Sequence, residues 1–185
     1  MLPHSLARVN TVVMLHSAAP LAVSDIARSA ALAYAPAQSA LATLEKRGII
    51  RRSRRAGRDR YGPNRDSLYY PMAYLTALVD LPVAEALRGE HASAVYAYGR
   101  IAQPEASTTQ CDLDLLIVGE IQDPAGLTAR LAIMASQLGR AAVPLILTDD
   151  QLDRAKRRGD GHVAAALGGV LILEARPGGA RPTPA

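Results

Sequence analysis

The sequence predicts an α+β protein in two parts. Two short helix signatures ending at Gly48 give way to a basic, glycine-punctuated stretch with strand character. Beyond residue 90, short aliphatic runs alternate with helical patterns, as a small sheet covered by helices requires. Positive charge is concentrated in the first part. Between residues 46 and 65, Lys46, Arg47, Arg51, Arg52, Arg54, Arg55, Arg58, Arg60 and Arg65 are opposed by Asp59 alone. The expected boundaries are 1–70 for the first part, 71–90 for a helical link, 91–175 for the second part and 176–185 for a tail.

In the first part, residues 5–17 place Leu6, Val9, Val12 or Val13, and Leu15 or His16 at helical spacing, and Pro20 closes the segment. Ser24 is the expected N-cap of a short helix over 25–31, with Asp25 in its first turn and Ile26 and Ala27 facing inward. Pro36 suits the first position of the next helix, which runs through Leu41 and Leu44 to Arg47 and stops at Gly48. Its outer side shows Gln38, Ser39, Thr43 and Lys46. Then the period changes. Ile49 and Ile50 open a strand, the stretch from Arg54 to Asp59 supplies a turn, and Arg60 with Tyr61 starts the return.

A charge run is most simply a solvated face, but arginines at a hairpin tip beside an exposed helix attract a polyanion. The phrase ALATLEKRGIIRRSRRAGRDRYGP resembles the winged helix-turn-helix domains of bacterial transcription regulators, in which a leucine-rich helix ends in a similar glycine and is followed by a charged wing. The resemblance implies double-stranded DNA as partner. It puts Gln38, Ser39, Thr43 and Lys46 at the major groove, and Arg54, Arg55, Arg58 and Arg60 on phosphates or a minor groove.

Residues 71–88 read as a link of helical character starting at Pro71 and broken near Pro82. Met72, Leu75, Leu78 and Val79 make an apolar face that needs a partner, either the chain's own core or a second copy in a homodimer.

In the second part the expected order is strand 94–98, glycine turn, loop, strand 113–118, helix 124–138, strand 141–147, helix 149–157 continued by 162–167, and strand 170–174. Alternation points Asp112 and Asp114 to one face, where two like charges repel unless a cation sits between them. The segment GRIAQPEASTTQCDLDLLIV resembles the signature of the nucleotidyltransferase superfamily, the minimal fold of DNA polymerase beta and kanamycin nucleotidyltransferase. The match consists of Gly99 at the turn, Glu105 and Ala106 after it, and the pair Asp112 and Asp114. It implies that Gly99 and Arg100 meet a nucleoside triphosphate and that Asp112 and Asp114 hold Mg²⁺. The departures are Arg100 where the family has Ser, and Val143, Pro144 and Leu145 where a third carboxylate is usual. Asp149 and Asp150, after that strand, read as helix-capping residues.

The remaining composition narrows the field. There is no Phe or Trp among the 185 residues, so the core must be aliphatic, with seven Tyr as the aromatics. Cys111 is the single cysteine, which excludes an internal disulfide and fits packing in a reducing compartment. His4, His16, His91 and His162 have no metal-ligand spacing, and no P-loop, dinucleotide fingerprint or CxxC motif occurs. No secretory leader or bilayer-length apolar run is apparent, so the expected location is the cytoplasm. The composition of RPGGARPTPA fits a disordered tail. The expected function is DNA-binding transcriptional regulation, with the second part a degenerate pseudoenzyme acting as nucleotide sensor or as an interaction and dimerisation module. The alternatives are an active Mg-dependent nucleotidyltransferase that modifies a protein or RNA partner, as in toxin–antitoxin pairs, and a plain structural adaptor.

Overall fold

The computed structural model describes residues 4–106 and 111–174, and the protein is α+β, with helices around two sheets. The expected tail at 176–185 and the loop centre at 107–110 lie outside the described residues. Among those described, no helix is long and apolar enough to cross a membrane.

Helix α1 (His4–Leu15) buries Val9, Val12, Val13 and Leu15, the helical spacing expected of it. Helix α2 spans Val23–Ser29 and α3 spans Tyr34–Lys46. Both start earlier than the sequence suggested. Ala22 rather than Ser24 precedes α2, because Leu21 pairs with Tyr61 through both backbone groups and fixes where the chain can turn into a helix. Pro36 lies within the first turn of α3, where a missing N–H costs nothing. The far end of α3 is as expected: Gly48 has φ +69°, and Ile49 N–H donates to Leu44 O, so the left-handed glycine closes the helix.

Strands β1 (Ile50–Arg55) and β2 (Arg58–Pro63) form the hairpin, with Arg55 opposite Arg58. Ala56 and Gly57 both have positive φ, as a two-residue turn that matches strand twist demands. Helices α4 (Tyr70–Val79) and α5 (Val83–Ala86) follow, separated at Pro82 as expected. The apolar face expected on α4 divides: Leu78 is fully buried and Leu75 packs on the same core, whereas Met72 and Val79 are exposed. The chain's own core takes half of that face.

The second sheet has the order β5-β4-β3-β6. Strand β3 (His91–Tyr98) is antiparallel to β4 (Leu113–Glu120) and to β6 (Val170–Glu174), and β5 (Ala142–Leu147) runs parallel to β4 after helix α6 (Pro124–Ser136). Helices α7 (Asp149–Arg157) and α8 (Gly161–Leu167) complete the chain's order. Thr148, not Asp149 or Asp150, caps α7 through a reciprocal pair with Gln151, and the two aspartates sit in its first turn.

One cluster of buried side chains runs from α1, α2 and α3 through α4 to Leu113, Leu115 and Ile117 on one face of β4. Leu116 and Val118, on the opposite face, pack with Tyr98, Leu152 and Val163 beneath α7 and α8. Alternation along β4 therefore feeds two cores.

Candidate functional site

At the start of β4, the face shared with Leu116 and Val118 carries Asp114, and Asp112 stands just before the strand, exposed. Tyr98 is Asp114's antiparallel partner on β3. The chain then turns at Gly99, with φ +69°, into a single 3-10 turn, Gly99–Ala102, which leaves Arg100 exposed at its rim. Here the glycine has a steric reason: a Cβ at residue 99 would meet Asp114 Oδ2 at 2.6 Å. Helix α8 adds a residue from far along the chain. His162 Nε2 lies 3.2 Å from the Tyr98 hydroxyl, with the two rings edge to face.

The electrostatics agree with this crowding. Burial first, and then the Asp112 charge, push the Asp114 carboxyl above its ordinary range, while His162 and Arg100 pull it back. The Tyr98 hydroxyl is raised by burial and by Asp114. A half-buried carboxylate with a second one beside it is a place where a cation is favoured. The donor set fits Mg²⁺ only in part. That ion often takes one or two protein carboxylates and completes its shell with water and substrate phosphates. On the neighbouring strand, however, Val143 stands beside Asp114 and Pro144 beside Leu115, so β5 offers no third carboxylate. Among the described residues no group of three His, Cys, Asp or Glu side chains is arranged to hold a metal.

The basic surface lies elsewhere. Gln38, Ser39 and Lys46 are exposed on α3, opposite the buried Ala37, Ala40, Leu41 and Leu44. Thr43 is half-buried, and its hydroxyl donates to Ser39 O at 3.0 Å. Hairpin alternation divides the arginines between two faces. Arg52 and Arg54 share one with Asp59 and Tyr61, whereas Arg51 and Arg55 share the other with Arg58 and Arg60. Arg52 spans Glu45 on α3 and Asp59 on the hairpin, at 3.3 and 3.6 Å, so its face is the one turned toward α3. Arg60 reaches back 3.6 Å to Asp25 on α2. Arg54, Arg55 and Arg58 are exposed and make no ion pair among the described residues.

The structure brings Gly99, Arg100, Asp112 and Asp114 near one another at one end of β4, and sets Arg54 on one face of the hairpin tip and Arg55 and Arg58 on the other. The sequence pattern did not single out Tyr98 and His162. His162 is separated from Asp114 by helix α6, strand β5 and helix α7, and no local spacing could signal their approach. Tyr98 had one available signal, its position immediately before the turn glycine.

Compared with protein-family models, curated proteins and solved structures, the chain matches none.

Proposed function

We propose that this chain is a DNA-binding transcriptional regulator, with residues 4–63 acting as a winged helix and the second sheet as a degenerate nucleotidyltransferase-like unit. The observation that carries the reading is the exposure of Arg54, Arg55 and Arg58, free of carboxylate partners among the described residues, at the tip of a hairpin tied to α3 through Arg52 and Glu45. In this reading α3 enters a major groove through Gln38, Ser39 and Lys46, and the hairpin holds phosphates. Thr43 serves less well, since its hydroxyl is already engaged. The regulator works as a homodimer in the cytoplasm, and nucleotide at Gly99 and Arg100 shifts the balance between two arrangements of its subunits.

The test is fluorescence anisotropy with duplex DNA from upstream of the protein's own coding region, at several salt concentrations. Replacing Arg54, Arg55 and Arg58 together by Ala weakens binding and reduces the log–log salt slope by roughly one unit for each arginine removed. Absence of binding, or binding indifferent to salt, would refute the proposal.

A second reading has its own support in the paired carboxylates and the raised Asp114. It is a nucleotidyltransferase that passes a nucleoside monophosphate from a triphosphate to a hydroxyl of a protein or RNA partner, releasing pyrophosphate and a proton. Asp112 and Asp114 would hold Mg²⁺, which when bound neutralises triphosphate charge and aligns the acceptor. Arg100 would orient phosphate oxygens in place of the family's Ser. Val143 beside Asp114 weighs against turnover, since a missing ligand and an altered phosphate contact each remove transition-state stabilisation. Label transfer from a nucleoside triphosphate that disappears in both Asp112→Ala and Asp114→Ala would make this reading the better one.

A further inference from the structure

Arg51 and Ser53, which share one face of the hairpin, line a cavity of about 400 Å³ at the hairpin's base, apart from the tip at Ala56 and Gly57. That volume suits a small molecule, for which roughly 300 to 1,000 Å³ is typical. Other walls come from the end of α1 and the segment after it, through Met14, His16 and Pro20, and from Arg140, which precedes β5. Arg65, just past β2, completes the polar lining.

The charged groups on that lining have one sign. Arg51, Arg65 and Arg140 supply three guanidinium groups, and no Asp or Glu is among the lining residues. Two of the three are held in place: Arg140 is buried and donates to Leu15 O and Cys111 O, and Arg65 stands over the Tyr70 ring, 5.6 Å from its centroid. Arg51 faces Asp66 at 3.6 Å, but that carboxylate is 87% exposed, and an ion pair so open to water is weak enough for a better-placed anion to displace.

Two neutral donors accompany the arginines. His16 Nδ1 accepts from Ala18 N–H at 3.0 Å, so the neutral ring carries its proton on Nε2, which has no partner among the described residues. Burial first, and then the Arg140 charge, lower the His16 pKa and favour that neutral form, while Asp25, itself engaged by Arg28 and Arg60, acts in the opposite sense. The Ser53 hydroxyl is exposed and likewise unengaged among the described residues.

We propose that this cavity binds a small phosphate monoester as its dianion. The phosphate oxygens meet the guanidinium groups of Arg51 and Arg65, the Ser53 hydroxyl and His16 Nε2–H, Arg140 contributes its charge, and the uncharged body of the ester lies against Met14, Pro20 and Pro63. Three lining guanidiniums exceed what a single negative charge balances. Donors arriving from separate segments also suit a head with three acceptor oxygens better than a planar carboxylate with two. The site is distinct from the turn at Gly99 and Arg100 and does not depend on DNA binding. An occupant would tie the hairpin to the second part of the chain, since Arg51 belongs to one and Arg140 to the other.

The probes are phenyl phosphate, inorganic phosphate and methyl phenyl phosphate, a diester that carries one charge as a nucleic-acid backbone does. Each is titrated into the full chain by calorimetry and by amide NMR shifts at about pH 7.5, where a phosphate monoester is mostly dianionic. Phenyl phosphate binds saturably at low-millimolar concentration or below and shifts His16, Ser53 and Gly62. Inorganic phosphate, lacking the body, and the diester, lacking the second charge, each bind about tenfold more weakly. Arg51→Gln and Arg65→Gln each weaken phenyl phosphate by about tenfold. Ser53→Glu sets a carboxylate on the lining from an exposed strand position and eliminates binding, which tests the site even where Arg65→Gln loosens the fold. Arg157→Gln on α7 removes the same charge outside the lining and leaves binding unchanged. Lack of saturable binding to the wild-type chain, shifts confined to Gly99 and Arg100, or equal weakening by Arg157→Gln overturns the proposal. So does equal affinity for the diester, which would assign these arginines to a nucleic-acid backbone.

Discussion

Asp114 lies so close over the backbone of Gly99 that a single added methyl group at residue 99 would come within 2.6 Å of its Oδ2. The sequence suggested a glycine kept small for a triphosphate. In the fold, the first thing that glycine accommodates is the carboxylate of its own site. The positive φ of Gly99 adds a second, independent demand for the absence of a Cβ.

Gly99→Ala should therefore cost more than an ordinary turn substitution. The left-handed conformation predicts a loss of about 1–3 kcal/mol in urea denaturation, to which the contact adds what it costs Asp114 to rotate its carboxylate aside. Gly99→Ala combined with Asp114→Ala should recover part of that loss, because the double variant removes the collision and leaves only the backbone strain. Strict additivity of the two changes would mean that the contact does not matter.

The pH dependence of stability tests the same carboxylate. Burial and the Asp112 charge raise Asp114 above its ordinary 3.8, so the folded chain holds this proton more tightly than the unfolded one. The resulting stabilisation is complete below 3.8 and is lost as the pH climbs through the raised value. Over that window Asp114→Asn should become progressively more stable relative to the wild type, in chemical denaturation at a series of pH values. Asp112→Asn should move the Asp114 side-chain carbon titration downward in NMR, since it removes the second cause. An unmoved midpoint would leave burial as the sole source.

Arg140 stitches α1 to the second sheet and predicts how the two parts unfold. It is buried, it donates to Leu15 O at the end of α1 and to Cys111 O before β4, and it approaches Cys111 Sγ at 3.1 Å. Charge-assisted bonds of this kind to buried carbonyls are each worth more than neutral ones. Arg140→Met should cost about 2–3 kcal/mol while preserving most of the side-chain volume. Because one apolar cluster crosses both parts, thermal unfolding followed by far-ultraviolet circular dichroism and by tyrosine fluorescence should show a single coincident transition in the wild type. Two separated transitions would show that the shared core does not couple them.

Much of this arrangement was legible from local rules. Gly48 ends α3 and the turn at Ala56 and Gly57 pairs the strands because such positions are decided by backbone conformation within a few residues. The order of strands and helices from 91 to 174 was legible for the same reason. What escaped was set by distant partners. The start of α2 depends on Tyr61 pairing with Leu21, the fate of the α4 face on packing across the core, and the place of His162 on how α8 crosses β3. The division of the arginines was half-legible: alternation gives the two faces of the hairpin, but only the fold shows that Glu45 and Asp25 await Arg52 and Arg60.

That division makes a prediction about polyanion binding. Arg52 and Arg60 are already opposed by Glu45, Asp59 and Asp25, so their charge is partly neutralised and their geometry is held toward the helices. Arg54, Arg55 and Arg58 have no such partners among the described residues. Single alanine variants should therefore fall into two sets. Arg54→Ala, Arg55→Ala and Arg58→Ala should leave folding stability unchanged and should each lower the salt slope of duplex binding by roughly one unit. Arg52→Ala and Arg60→Ala should lower stability by up to about 1 kcal/mol, as partly exposed ion pairs do, with a smaller change in the slope. Anisotropy titrations at several salt concentrations, run beside urea denaturation of the same five proteins, separate the two sets. Equal slopes across all five would mean that the ion pairs to Glu45, Asp59 and Asp25 open when the duplex arrives, so that all five arginines reach phosphates.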